Sequence, residues 1–206
     1  MNETGNKIIA FIEKNTSING FKPCINRFEE DLAIIEKEAM PFHILRHSLC
    51  VSLIGIYLGV NFNRKKKRNV DLQLIFSGGL LHDIAKSASI NGSIKERSHA
   101  DYGREILEKY DRFREAEIAS MHLIQHFVNF KLSNESCIVN VADKTVIHDR
   151  ILSIEERFED LKKRYPDFLP LFNFEIMKRY KEFFTKYSDE NWEEYRMLLN
   201  NEIKSL

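Results

Sequence analysis
Apolar residues recur at helical spacing along almost the whole chain, as in Ile25, Phe28, Leu32 and Ile35, or Ile44, Val51, Ile54 and Leu58, and no strand-like alternation persists. This periodicity commits the chain to an all-α, multi-helical bundle. Its 206 residues suit a single globular domain with a core of its own. Turn chemistry divides the helices at NTSINGFKP (15–23), NFNRKKKRN (61–69), SASINGSIKERS (87–98) and YPDFLP (165–170). Ser98 with Asp101, and Ser153 with Glu156, have capping-box spacing, so helices are expected to start just after each serine. Residues 1–40 read as N-terminal helices packed on a core of residues 41–165. The aromatic and charged stretch 166–206 reads as packing helices that finish that core.

One apolar run ends unexpectedly. LIFSGGLL (74–81) is followed by His82 and Asp83, where more leucine would continue the pattern. Burying an imidazole and a carboxylate costs roughly several kcal/mol unless each finds a partner. Either the pair forms a local cap or it closes around a cation. His47 falls on the inner stripe of an expected helix 41–59, and Asp143 sits within the expected helix CIVNVADKTVI, among Ile138, Val139, Val141, Ala142 and Val146. A carboxylate there needs a cation or a dense hydrogen-bond shell. Two imidazoles and two carboxylates from three helices make a mixed nitrogen and oxygen site with labile positions left over. Such a site suits Fe, Mn, Co, Ni or Zn better than an all-oxygen Ca or Mg cage. A divalent ion so held lowers the pKa of bound water and polarises a phosphoryl oxygen, which points to hydrolysis.

Lys plus Arg, 31, balances Asp plus Glu, 31, so no global field recruits nucleic acid or an acidic membrane, and a small diffusible partner is the expectation. The basic run KKKR (65–68) reads as a solvated turn. Cys24, Cys50 and Cys137 stand far apart without a CxxC pair, as core thiols of a reducing compartment would. The longest apolar segment, residues 49–60, is shorter than the roughly 20 residues of a bilayer span, and the first residues lack the pattern of a signal peptide. A soluble cytoplasmic protein is expected.

The order HS (47–48), LLHDIAK (80–86) and VADK (141–144) resembles the HD-domain superfamily of metal-dependent phosphohydrolases, from about residue 40 to about residue 160. The resemblance implies that His47, His82, Asp83 and Asp143 are metal ligands. SHADYGREIL (98–107) resembles the His-x-x-x-Gly segment of HD proteins that hold a second metal, and ASMHLIQHF (119–127) the following helix that presents another His. VADKTVIHDRILSIEERF (141–158) is similar to a bacterial subgroup of small HD phosphohydrolases, in which a Gly commonly precedes the Asp-Arg pair where this chain has His148.

The resemblance therefore implies one or two divalent ions. The second would be held by His99, in the first turn of the helix capped by Ser98, and by His126, with Asp83 bridging. Gly103 would permit close helix approach. His122 and His126 are expected on one helical face. His126 is favoured as the ligand, since Leu123 three residues earlier matches the pattern of related chains, and His122 is left to touch substrate. Lys86, one turn beyond His82, is placed to reach a phosphate and with Asp83 to serve catalysis. Arg150 is a substrate-binding candidate, with Arg157 of similar standing, and His43 is either a supporting group or helix surface. The expected activity is cleavage of a phosphate ester or anhydride, in a nucleotide or nucleotide-like substrate, by metal-activated hydroxide. The competing reading is a regulatory module that keeps the fold and docks a nucleotide without turnover. A homodimer is left open.

Overall fold
The computed structural model describes residues 3–17, 20–66, 69–92 and 98–206. Its helices are α1 (Glu3–Ser17), α2 (Ile25–Lys37), α3 (Phe42–Lys66), α4 (Leu72–Leu81), α5 (Lys86–Ile90), α6 (His99–Glu108), α7 (Phe113–Met121), α8 (Ile124–Asn129), α9 (Asn134–Asp143), α10 (Ile154–Arg164), α11 (Phe174–Tyr187) and α12 (Trp192–Glu202). Two-residue strands β1 (Val146–Ile147) and β2 (Arg150–Ile151) pair antiparallel, and short 3-10 segments cover Pro166–Phe172 and Ile203–Ser205. The fold is helical, as the periodicity requires. Parts of three expected turns, residues 18–19, 67–68 and 93–97, lie outside the described residues.

Helix starts follow the caps. Ser98 Oγ accepts from Asp101 N at 3.1 Å, and Ser153 and Glu156 satisfy each other's backbone N–H groups as a full capping box. Asp71, Ser133 and Asn173 cap α4, α9 and α11 in the same way. The helix expected to end near residue 59 continues as α3 to Lys66. Taken alone, α3 is long and apolar enough to cross a membrane, but 83% of its apolar window is buried inside the chain, as in a core helix of a globular protein.

The core is organised around α3, which packs against α4 and α9, while α4 is flanked on its other side by α7. The two glycines of LIFSGGLL make this sandwich possible. A Cβ on Gly79 would lie 2.9 Å from Ser52 Cα of α3, and one on Gly78 would lie 2.5 Å from Ile118 Cδ1 of α7. With both Cβ atoms absent, the C-terminal end of α4 is delivered between α3 and α7. One contiguous core runs from Ile8 to Ile203, with α1 packed on α3, α2 on α4, and α11 on α3, α9 and α10. Cys24 is exposed, so the reading of all three cysteines as core thiols is corrected: only Cys50 is fully buried.

Two helices end earlier than periodicity suggests. The segment containing His122 and His126 is not one helix: α7 stops at Met121, Leu123 is extended at φ −72°, ψ 150°, and α8 begins at Ile124. The buried Asn140 side chain explains the break, because its Nδ2 donates to the carbonyls of Met121 and Leu123 at 2.8 and 3.1 Å, while Tyr180 Oη donates to its Oδ1 at 2.6 Å. Likewise α9 ends at Asp143 instead of running through CIVNVADKTVI. Thr145 Oγ1 donates to the Ala142 carbonyl at 2.7 Å, and the chain turns into the β1–β2 hairpin, with His148 in the left-handed region at φ 55°.

A partly buried polar cluster ties α2 to α4 and α7. Ser77 Oγ donates to Asp31 Oδ2 at 2.5 Å, Arg112 Nη2 lies 3.1 Å from Asp31 Oδ1 and 2.8 Å from Glu30 Oε2, and Arg27 Nη2 lies 2.7 Å from Glu115 Oε1.

Candidate metal centre
Three imidazoles are set to a single tautomer by backbone carbonyls, two of them on the rings' own helices and one in the β1–β2 turn. His82 Nδ1 donates to Gly79 O at 2.7 Å, His122 Nδ1 to Ala119 O at 2.5 Å, and His47 Nδ1 to His148 O at 2.9 Å. A carbonyl can only accept, so each Nδ1 carries a proton, and it is the Nε2 atom of each ring that is turned the other way with the lone pair a metal would use. This is the arrangement that metal-ligating histidines require.

The lone pairs converge on two carboxylates. His47 Nε2 lies 3.1 Å and His82 Nε2 3.8 Å from Asp143 Oδ1, and the same two nitrogens lie 3.9 and 3.7 Å from Asp83 Oδ2. On the other side, His99 Nε2 and His122 Nε2 lie 3.3 and 3.4 Å from Asp83 Oδ1 and 3.0 Å from each other. Ligand atoms bound at about 2.1 Å to one ion sit roughly 3.0 to 3.4 Å apart in octahedral or tetrahedral shells. His47, His82 and Asp143 thus form one group able to hold an ion, and Asp83, His99 and His122 another. Asp83 faces both, one oxygen to each. The His82 Nε2 atom and Asp83 Oδ1 are buried without a hydrogen-bond partner, as donor atoms meant for a cation would be.

The electrostatics agree with that donor set. Burial lowers the His82 pKa to about 4, so the ring is neutral and available at ordinary pH. Burial, the largest single influence, raises the Asp83 carboxyl, but Lys86, His82 and the close approach of the His122 and His99 rings outweigh it and leave it well below its usual range. Asp143 is similarly depressed: burial pushes it up, and Lys144, His47 and His82 pull it further down. Both carboxylates are anionic.

Residues 44–146, half of the chain, match the family of the HD domain, and this span holds every residue of both groups. The chain belongs to the HD domain family. Neither a curated protein nor a solved structure matches it.

Within this HD centre one assignment needs correcting. The second group contains His122 and not the expected His126. His126 belongs to α8, beyond the helix break, with its ring 5.4 Å from that of Phe130. A shared helical face was the wrong premise, because Asn140 interrupts the helix between them. Gly103 is not demanded by close packing either, since a Cβ there would meet Ile84 Cγ2 at an ordinary 3.5 Å.

Against the second group and Asp143 of the first opens a cavity of about 430 Å³ lined by Asp83, Lys86, His99, His122, Asp143, Lys144 and Arg157, with an apolar wall that includes Leu161, Tyr165, Phe168 and Phe172. Lys86 Nζ lies 3.3 Å from His99 Nε2, beside the second group. It occupies the first residue of α5. Lys144 was not singled out from the sequence. It is buried, its Nζ pairs with Asp143 Oδ2 and donates to His122 O at 3.2 Å, and so it touches both groups; its place directly after Asp143 in VADK was the available signal. Arg150 is exposed on β2 and does not line the cavity, whereas Arg157 does. His43 is exposed on α3.

Proposed function
We propose that this protein is a metal-dependent phosphohydrolase acting on phosphate esters or anhydrides of a nucleotide or nucleotide-like small molecule in the cytoplasm. The observation that carries the reading is the Asp83 carboxylate, which faces His47 and His82 with one oxygen and His99 and His122 with the other on one wall of a cationic cavity. Divalent ions bound there supply Lewis acidity and a lowered pKa for water. His47, His82, Asp83 and Asp143 would hold the first ion, and Asp83, His99 and His122 the second.

The chain's own side chains then divide the remaining work. Lys86, beside His99, is placed to donate to a phosphoryl oxygen of a substrate at the second group, and Lys144 balances the charge of Asp143 between the groups. Arg157 presents a planar fork suited to a phosphate edge. Tyr165, Phe168 and Phe172 offer an apolar and aromatic wall for the organic part, which favours a base-bearing substrate over inorganic polyphosphate.

The test is a phosphate-release screen of Mn-, Co-, Fe- and Zn-loaded protein over mononucleotides, dinucleoside polyphosphates, cyclic nucleotides and generic esters. Turnover that Asp83→Asn abolishes supports the reading. Tight nucleotide binding with no turnover in any metal form would replace it with the regulatory-module reading. Lys86→Ala is expected to lower turnover while leaving metal content near that of the wild type.

A further inference from the structure
His82 and His122 take their tautomers from carbonyls three residues earlier in their own helical segments, Gly79 and Ala119. His47 does not. Its acceptor is the carbonyl of His148, 101 residues away in sequence, in the tight turn of a hairpin whose strands have two residues each. A hairpin that short has little stability of its own. Its turn is also held in a conformation that costs a non-glycine residue free energy, with His148 at φ 55°. Something outside the hairpin must fix that carbonyl.

Two ties do so, and both reach the C-terminal end of the chain, beyond the HD match. Asn200 of α12 closes on β2 with both ends of its amide: Ile151 N donates to its Oδ1 at 2.7 Å and its Nδ2 donates to Ile151 O at 2.9 Å. The side-chain amide thereby stands in for a third strand along the otherwise unpaired edge of β2. Arg46, next to His47 on α3, lies 2.6 Å from Asp149 Oδ2 through Nη2, which also donates to Ile203 O at 3.0 Å. The route is continuous from α12 through Ile151 and the His148 carbonyl to the His47 ring.

We propose that Asn200, with the Arg46–Asp149 pair, is a positioning element for His47, so that the C-terminal helix sets the affinity of the first ion group and leaves the second group untouched. This rests on the reading of the two groups as metal sites. Loss of such outer partners typically costs about 10- to 100-fold in metal affinity. The C-terminal helices are then more than packing.

The experiment compares wild type with Asn200→Ala, and with Asp149→Asn as a second variant that cuts the other tie. Nitrogen-15 NMR of the histidine rings is recorded on metal-free protein, and Mn and Zn titrations resolve the two equivalents. The expected result is a His47 ring that leaves the pure Nδ1–H tautomer, with one metal equivalent weakened by roughly tenfold or more and the other within about twofold of wild type. Arg46→Lys, which keeps the charge opposite Asp149, should lie between wild type and Asp149→Asn. An unchanged His47 tautomer, or equal weakening of both equivalents together with a lowered Tm, overturns the proposal. If wild type binds no divalent metal, the phosphohydrolase reading falls while the ring spectra still decide the positioning claim.

Discussion
His122 Nε2 lies 3.4 Å from Asp83 Oδ1, the oxygen turned away from His47 and His82. This places His122, and not His126, across the carboxylate that separates the two groups. Metal-saturated wild type should therefore carry close to two ions per chain. His99→Ala and His122→Ala should each fall towards one, and His126→Ala should stay near two. Elemental analysis after desalting checks this, and a one-ion wild type would discard the dinuclear arrangement.

Removal of the two carboxylates should have unequal structural costs. Asp143 pairs with Lys144, which is buried and has its pKa lowered chiefly by that burial despite the Asp143 charge. Asp143→Ala strands the ammonium, and loss of one partner of a buried pair costs about 3 kcal/mol or more. Asp83→Ala leaves no comparable buried cation, because Lys86 is only half-buried. Both variants should lose metal, but denaturant unfolding of the metal-free proteins should show Asp143→Ala as clearly the less stable. Asp143→Ala with Lys144→Met should recover much of the difference.

The legible parts of the sequence were those in which a residue acts through its neighbours in the chain. Periodicity gave the helical class, and serines three residues before an acidic side chain marked the starts of α6 and α10. The His-Asp pair at the end of an apolar run pointed to a buried polar centre for the same local reason. What the sequence hid was set by tertiary hydrogen bonds. The choice of His122 over His126 depends on Asn140, on another helix, capturing two carbonyls. The end of α9 at Asp143 depends on a turn that periodicity does not encode. Arg150 and Arg157 looked alike as sequence, and only the hairpin and α10 separate the exposed one from the one in the cavity.

That separation is itself testable. Arg157 is buried, its Nε has no hydrogen-bond partner among the described residues, and Nη1 pairs with Asp160 at 2.9 Å, which leaves part of the guanidinium for a phosphate. Arg157→Ala should raise the KM for an anionic substrate on the order of tenfold, the worth of one hydrogen bond to a charged group, with metal content unchanged. Arg150→Ala should change neither. Equal effects of the two substitutions on KM would remove Arg157 from the substrate's path.

The last expectation concerns the cluster between α2, α4 and α7. Asp31 and Glu115 are buried there beside Arg112, with Arg27 and the exposed Glu30 at the rim. Burial, reinforced by Glu115 and Glu30 against the opposing Ser77 hydrogen bond and Arg27, raises Asp31 to about 7, so the folded protein keeps a proton there that the unfolded chain releases near its ordinary value of 3.8. A carboxyl raised on folding stabilises the protein fully below the unfolded pKa and loses that contribution as pH rises through the folded one. The shift of about three units corresponds to at most about 4 kcal/mol, lost between about pH 4 and pH 7 and flat above. Asp31→Asn cannot ionise and can still accept from Ser77, so it should flatten this fall. Unfolding free energies of metal-free wild type and variant, measured from pH 4 to pH 8, should lie closest at the acid end and separate at the alkaline end in favour of the variant; parallel curves would mean that Asp31 is ionised throughout and held by Arg112.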